Sequence, residues 1–218
     1  PANPKNKYEG TAEQWEEAQA IMGRILDHLG VKYTIGIDEA AFYGPKLDIQ
    51  YKNVFGKEDT LVTIQIDMLL AQRFGMYYTD SDNQQKLPYI IHRTSLGCYE
   101  RTLAYLIEKY AGAMPMWLAP LQVEVIPIDA AFNEYAQSVA DKLNDAGIKV
   151  HFDDRNETMR YKIREAQLQK TPYMLVVGER DRTNGTVSVR TRSGEDKGAM
   201  PTDEFIALAL DEIKTRKR

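Results

Sequence analysis

Apolar and polar positions follow two rhythms along this chain, and the rhythm changes near residue 117. In the first stretch Trp15, Ala18, Met22, Ile25, Leu26 and Leu29 recur at helical spacing and predict an amphipathic helix. Thr11 and Gln14 form a capping box ahead of it, and Gly30 closes it. Residues 1–10 read as irregular, 31–35 as a short strand, and Phe42-Tyr43-Gly44-Pro45 as a turn. Leu47 to Tyr51 alternates as a half-buried strand should. Leu61 to Asp67 does so too, with Val62, Ile64 and Ile66 facing one way and Thr63, Gln65 and Asp67 the other. Together these strands predict an antiparallel sheet with a polar working face. Residues 79–87 read as a polar loop and Ile90-Ile91 as the end of a buried strand. From Cys98 a second helix follows, with Leu103, Leu106, Ile107 and Tyr110 on one face and Gly112 at its C′ position.

The segment MPMWLAP, 114–120, sets two prolines around an apolar anchor and reads as a domain joint. Beyond it, short strands alternate with helices. Strands are predicted at 123–126, 148–152, 173–177 and 186–192, and helices at 130–146, 157–170 and 202–215. In the first of these helices Phe132, Ala136, Val139 and Leu143 point inward and Gly147 closes it. Asp203 and Glu204 open the last helix and basic residues end it, which suits its dipole. The fold class is therefore α/β: an α+β first part, then a three-layer domain with a mostly parallel sheet.

Composition narrows the function classes. The 218 residues are 43% hydrophobic and 28% charged, ordinary for a globular chain of one or two domains. No run of about 18 apolar residues occurs, so no membrane partner is expected. No basic-then-apolar leader is seen either, so no signal peptide is expected. A single cysteine, Cys98, cannot form an internal disulfide and fits a reducing cytoplasm. The net charge of −4 supplies no general attraction for nucleic acid, so any such contact must be local. The chain opens on Pro1 and reads as a piece cut or processed from a longer one.

The chemistry-bearing residues collect at the seam between strand and helix, in IHRTSLGCYERT. His92 is a core histidine, a metal ligand or an acid–base group at the carboxyl end of a strand. Gly97 permits a close backbone approach. Arg101, one turn into the helix, is a solvated surface arginine or a planar, always-charged partner for a nucleotide. Cys98 has no activating triad and reads as packing. Tyr43, Lys46 and Gln65 lie on or beside the polar sheet face, where a glutamine can donate and accept at once. Between 155 and 192 nine basic residues meet four acids, which describes a solvated helix face or an RNA-binding surface. From the residues alone the chain is a two-domain α/β protein that could bind nucleotide and RNA.

The blocks AFYGPKLDI, TIQID, IHRTSLGCYERTLAYLIEKYAG, WLAPLQV, DDRNETMRYKIREAQ and PYMLVVG run in one order from about residue 8 to the end. In that order and spacing they resemble the threonyl-tRNA synthetase family. The resemblance implies that residues 1–117 are the later part of a class II catalytic domain on an antiparallel sheet, with motif 3 near 92–112. It implies that 118–218 form an anticodon-binding domain. The family activates threonine with ATP and Mg2+ to threonyl-adenylate and then transfers it to tRNA(Thr), in the cytoplasm, as a homodimer. By resemblance, His92 matches a zinc ligand of the amino-acid pocket. Arg101, Gly97 and Thr60 match positions at ATP, and Tyr43, Gln65 and Cys98 match the threonine pocket. Lys46 matches a basic residue near the active site. Asn156, Arg164, Asp181 and Arg190 match anticodon-contacting positions.

Departures accompany the match. Cys98 stands where some members have serine and Thr60 where some have glutamine. Asp181 stands where glutamate occurs. Motifs 1 and 2, an editing domain and two further zinc ligands (a cysteine and a histidine) have no counterpart in the sequence, and one histidine does not hold zinc tightly. This piece is therefore expected to be inactive alone. The rival readings are a non-catalytic tRNA-binding accessory protein and a small-molecule kinase or ligase. No Gly-x-x-x-x-Gly-Lys-Ser/Thr run supports a P-loop enzyme.

Overall fold

A computed structural model describes residues 7–218. The predicted irregular segment 1–10 lies partly outside the described residues. The chain separates into two compact units, one ending at Tyr105 and the other starting at Leu106.

The first unit opens with α1 (Ala12–His28). Thr11 Oγ1 accepts from the Gln14 amide and Gln14 Oε1 accepts from the Thr11 amide, the reciprocal cap that the sequence announces. Gly30, at φ 64°, follows the helix in the left-handed conformation. Only part of the apolar face is covered. Trp15, Ala18 and Leu26 are buried, Trp15 and Ala18 packing with Met68, whereas Ile25 and Leu29 are exposed.

Strands β1 (Lys46–Lys52) and β2 (Glu58–Asp67) form an antiparallel hairpin, and β5 (Ile90–Arg93) adds to the other edge of β2 in the order β1-β2-β5. Between β2 and β5 lie a single helical turn, α2 (Leu70–Arg73), and the tiny hairpin β3 (Tyr78–Thr79) and β4 (Gln85–Lys86). The polar loop expected at 79–87 thus carries a turn with paired flanks. Helix α3 (Tyr99–Tyr110) follows β5 and buries no residue; Leu103 is 55% exposed.

Two expectations fail here for one reason, and it also leaves part of α3 uncovered. Residues 31–35 form no strand, and Val31, Tyr33 and Ile35 are exposed. Ile91 continues β5 but is 65% exposed, and on α3 Leu103 and Ile107 are exposed while Leu106 and Tyr110 are half-buried. Periodicity reports that a face is suited to burial. Whether it is buried depends on a neighbouring element, and none covers these faces among the described residues.

The second unit has a closed core. Strands β6 (Val123–Pro127), β7 (Val150–Phe152), β8 (Tyr173–Val177), β9 (Thr186–Thr191) and β10 (Asp196–Pro201) pair in the order β10-β9-β8-β6-β7. Helices α4 (Asn133–Asp145) and α7 (Thr202–Lys214) cover one face through Val139, Leu143, Phe205 and Ala209. Helix α5 (Met159–Leu168) covers the other, packing Ala166 against Ile126, Met174 and Val176. This is the three-layer arrangement expected, and the fully buried rows VEVIP and YMLVV explain why those strands read as continuous apolar runs.

The sheet is mixed, a correction to the mostly parallel reading. β6 is parallel to β7 and β8, but β8–β9 and β9–β10 are antiparallel. The sequence hides this because β10 (DKGAMP) has almost no strand propensity and pairs through its backbone to the edge that β9 offers. The short helix α6 (Glu179–Asn184), between β8 and β9, was also not anticipated.

Candidate active site and nucleic-acid interface

The pleat of β2 turns Leu61, Thr63, Gln65 and Asp67 to one face. In register, Gln65 pairs with His92 and Lys46, and Asp67 with Ile90. His92 and Asp67 are therefore diagonal neighbours on one face, within reach of long side chains. His92 Nε2 meets Asp67 Oδ2 at 2.9 Å, while Asp67 Oδ1 accepts from the Leu69 and Leu70 amides at 2.8 and 2.9 Å. Burial alone would raise the Asp67 carboxyl. Donation from the Leu70 amide, His92 and the Leu69 amide outweighs that and holds it below the usual range.

Beside this pair the Tyr43 hydroxyl donates to Gln65 Oε1 at 2.5 Å, and the Tyr43 ring stands edge-on to His92 with centroids 6.1 Å apart. Tyr43 arrives through the turn at Gly44, where a Cβ would lie 1.8 Å from the Ile66 carbonyl oxygen. Only glycine lets that turn sit on β2. Lys46 does not reach the cavity described next. Its ammonium pairs with Asp48, whose other oxygen accepts from Thr63 Oγ1 at 2.7 Å.

The turn between β5 and α3 closes over the same face. The Gly97 amide donates to Thr94 Oγ1 and the Thr102 hydroxyl to the Leu96 carbonyl. Gly97 has φ 67°, and a Cβ there would lie 2.0 Å from the Leu61 carbonyl oxygen. The close approach this glycine permits is to β2 itself. Arg101 Nη1 donates to the Thr60 carbonyl at 2.9 Å, and the Cys98 thiol meets Glu100 Oε2. The outcome is an open cavity of about 420 Å³. Thr60, Gln65, His92, Gly97, Cys98 and Arg101 all line it. Six of the eight residues singled out from the sequence for this site share one wall, with Tyr43 directly behind Gln65. Asp67 was seen only as part of the polar alternation. Its partner lies 25 residues away, and only the β2–β5 register brings the two together.

Zinc has an incomplete donor set here. Among the described residues no three His, Cys, Asp or Glu side chains are grouped to hold a metal ion. A catalytic zinc takes about three protein ligands, and this wall offers one imidazole. The residues of this chain do not by themselves fit the ion.

In the second unit the register aligns Glu124, Met174 and Arg190 in a row on the α5 face, continued by His151 and Asp196. Arg190 Nη2 donates to Asp196 Oδ2 at 2.7 Å. Asn156 is exposed in the β7–α5 loop, and Arg164 is exposed on α5. That loop is anchored by the buried Asp153, which takes a two-pronged bond from Arg155 and whose backbone carbonyl accepts from Lys162 at 2.8 Å. Lys162 is buried, so it leaves the basic surface the sequence suggested. Asp181 is buried too. Its carboxylate accepts from the Gly178 amide, Thr186 and Ser188, so it ties α6 to β9 from within.

The comparisons follow this division. The family model described as "tRNA synthetase class II core domain (G, H, P, S and T)" matches residues 5–110. The "Anticodon binding domain" model matches 122–212. The chain belongs to the class II aminoacyl-tRNA synthetases. Within that class it belongs with the threonine–tRNA ligases. It is 55% identical over 215 residues to a threonine–tRNA ligase of Clostridium perfringens, a match covering 99% of this chain and 33% of that one. The corresponding protein of Staphylococcus carnosus is 45% identical over 98% of the chain. The solved RNA-binding domain of threonyl-tRNA synthetase from Cryptosporidium parvum superposes with a TM-score of 0.83 at 36% identity, covering 95% of this chain and 52% of that one. The chain spans about a third of the length of the curated relatives it matches.

Proposed function

We propose that the protein to which this chain belongs ligates threonine to tRNA(Thr), and that this chain supplies one wall of the amino-acid and ATP pocket together with the anticodon-reading surface. The observation that carries this reading is the convergence of Gln65, His92, Gly97 and Arg101 on one cavity. In the first step the threonine carboxylate attacks the α-phosphorus of ATP, held with Mg2+, and pyrophosphate leaves. In the second, a hydroxyl of the terminal tRNA ribose attacks the adenylate carbonyl, its proton is released, and AMP leaves with the bonding electrons.

The residues have separable tasks. Tyr43 occupies the Gln65 carbonyl oxygen, which leaves the Gln65 amide as a donor toward a threonine carboxylate or hydroxyl. Arg101, braced on the Thr60 carbonyl, presents a flat cation to the nucleotide. His92 is the polar end of the pocket. A site that requires the threonine hydroxyl leaves its own polar group unpaired when valine binds, and so rejects valine far better than shape alone could. On the second unit Asn156, Arg164 and Arg190 read exposed bases, and Asp181 holds β9, the strand that presents Arg190. The proposed setting is the cytoplasm, with a homodimer in the whole protein. No helix among the described residues is long and apolar enough to cross a membrane.

The test has two arms. The 218-residue chain is expected to give no threonine-dependent ATP–pyrophosphate exchange, and residues 118–218 are expected to bind tRNA(Thr) unaided. Exchange by the chain alone would overturn the reading of an incomplete pocket. Loss of tRNA binding on removing 1–117 would overturn the anticodon reading and favour an RNA contact spread over both units.

A further inference from the structure

We propose that Arg160 is a phosphate contact of the RNA-binding surface, set one helical turn before Arg164. This inference rests on the anticodon-reading surface and deepens it, because it separates a cation that grips RNA from those that read it.

Nine basic residues lie between 155 and 192, and most are occupied inside the protein. Arg155 and Lys162 donate to Asp153, Arg182 to Glu179 and Arg190 to Asp196. Lys170 and Arg192 are spent on the Ala111 and Met114 carbonyls. Arg160, Arg164 and Arg180 are left, all exposed and without an acceptor among the described residues.

These three are not equivalent. Arg180 stands between Glu179 and Asp181 in the first turn of α6, so its charge is offset locally. Arg160 has no such offset. It lies in the first turn of α5, which carries no acid, and so faces the positive end of the helix dipole. Arg164 follows four residues later on the same helix face, about 6 Å along the axis, and like charges at that spacing repel. Glu157 precedes the helix, and no ion pair joins it to Arg160. Arg160 is thus unfavourable twice over in the free chain, with no contact in return. A local rule broken without internal compensation is expected where a site meets its ligand.

The missing compensation is an anion, and its place is defined. The loop carrying Asn156 runs directly into this turn, and Arg164 extends the same face. An RNA loop whose bases are read by Asn156 and Arg164 brings its sugar–phosphate backbone to Arg160. The chain as a whole is acidic, with a net charge of −4, so attraction must come from such local cations. A phosphate contact adds affinity for any RNA sequence and makes binding depend more steeply on salt.

The test uses the 218-residue chain with Arg160→Gln and Arg160→Lys. Each protein is titrated with a tRNA(Thr) anticodon stem-loop and with a stem-loop of unrelated sequence, across salt concentration. Arg160→Gln is expected to weaken both RNAs by the same factor. The gap to the unmodified chain is expected to narrow about threefold between 50 and 200 mM salt, the weight of one phosphate contact. Arg160→Lys is expected to keep the salt slope. Without RNA, the urea midpoint of Arg160→Gln is expected to equal or exceed that of the unmodified chain, since a repulsion is removed. An unchanged salt slope in Arg160→Gln, a loss confined to the threonine stem-loop, a slope that lysine does not keep or a lowered midpoint would each overturn the proposal. If the slope is unchanged while the threonine stem-loop is still preferred, the anticodon reading stands alone. If both RNAs bind the unmodified chain equally and the slope falls in Arg160→Gln, the phosphate contact stands and the anticodon reading fails. Binding of neither RNA overturns both.

Discussion

The Tyr43 hydroxyl and the Gln65 side-chain oxygen are joined at 2.5 Å across the β1–β2 hairpin and the turn that leads into it. This bond decides which end of the Gln65 amide faces the cavity. Removing the donor with Tyr43→Phe frees the amide to rotate and leaves an oxygen without its partner, at a cost of about 1–3 kcal/mol when such a group is desolvated by a ligand. In the whole enzyme the expected outcome is a rise of about tenfold in the KM for threonine, with the KM for ATP little changed. Steady-state kinetics with each substrate varied in turn checks this. An equal change in both would place the bond outside the amino-acid pocket.

Gly97→Ala tests whether the turn before α3 is held against β2. The new methyl would meet the Leu61 carbonyl oxygen in a left-handed backbone position. Strain of about 1–3 kcal/mol from the backbone alone adds to that collision. The expected outcome is a loss of at least that size in the first unit's unfolding free energy, with the Arg101–Thr60 contact disrupted. Urea titration followed by a probe in the first unit measures it.

Truncation should separate the two units energetically. Phe205 is fully buried between α7 and the sheet, and Phe205→Ala is expected to cost about 3–5 kcal/mol. Leu103 is 55% exposed on α3, and Leu103→Ala is expected to fall within about 0.5 kcal/mol. Chemical denaturation of both variants decides it. A large effect at Leu103 would mean that its face is covered in solution.

Arg190 lies on the α5 face with its guanidinium held by Asp196. Arg190→Ala is expected to weaken binding of a threonine anticodon stem-loop by about 1–3 kcal/mol while reducing binding to unrelated RNA much less. Titrations on the two RNAs across a range of salt concentrations distinguish the cases. Equal losses with a shallower salt slope would mark a phosphate contact instead.

Two buried carboxylates should give pH effects of opposite sign. Burial tends to raise the Asp153 carboxyl, but the Arg155 guanidinium and amide outweigh it and hold it below the ordinary range. Lys162 also attracts it. Its contribution to stability is complete above the unfolded aspartate pKa and is lost as pH falls through the native value. Glu124 is raised mainly by burial, with the neighbouring Asp153 adding to the rise and His151 and Arg155 opposing it. Its contribution is present below the unfolded glutamate pKa and is lost as pH climbs through the native value. Asp153→Asn is therefore expected to flatten the acid limb of the stability curve, and Glu124→Gln to flatten the decline just above the ordinary glutamate range. Urea midpoints measured across pH report both slopes.

Much of the second unit was legible in the residues. VEVIP and YMLVV are apolar throughout because both faces of their strands are covered. On α4, Ala136, Val139 and Leu143 were assigned inward correctly from a helical spacing, whereas Phe132 precedes that helix and stands outside the core cluster. For the first unit, the alternation in β2 and the capping box of α1 were equally plain. The candidate wall was mostly legible too, since His92, Gly97 and Arg101 lie within one short seam.

What the chain determined by itself is local: helix phase, caps, turns, and which strand face is polar, because these follow from bonds and contacts within a few residues. Tertiary structure decided everything that needs a neighbour. It left Ile35 and Ile91 exposed and added β10 by backbone pairing alone. It also turned Asp181 inward, to anchor β9 from α6. It brought Asp67 to His92 across 25 residues of intervening chain. Register across strands, not proximity along the sequence, sets which polar groups meet, and a linear pattern carries no record of that register until the strands pair.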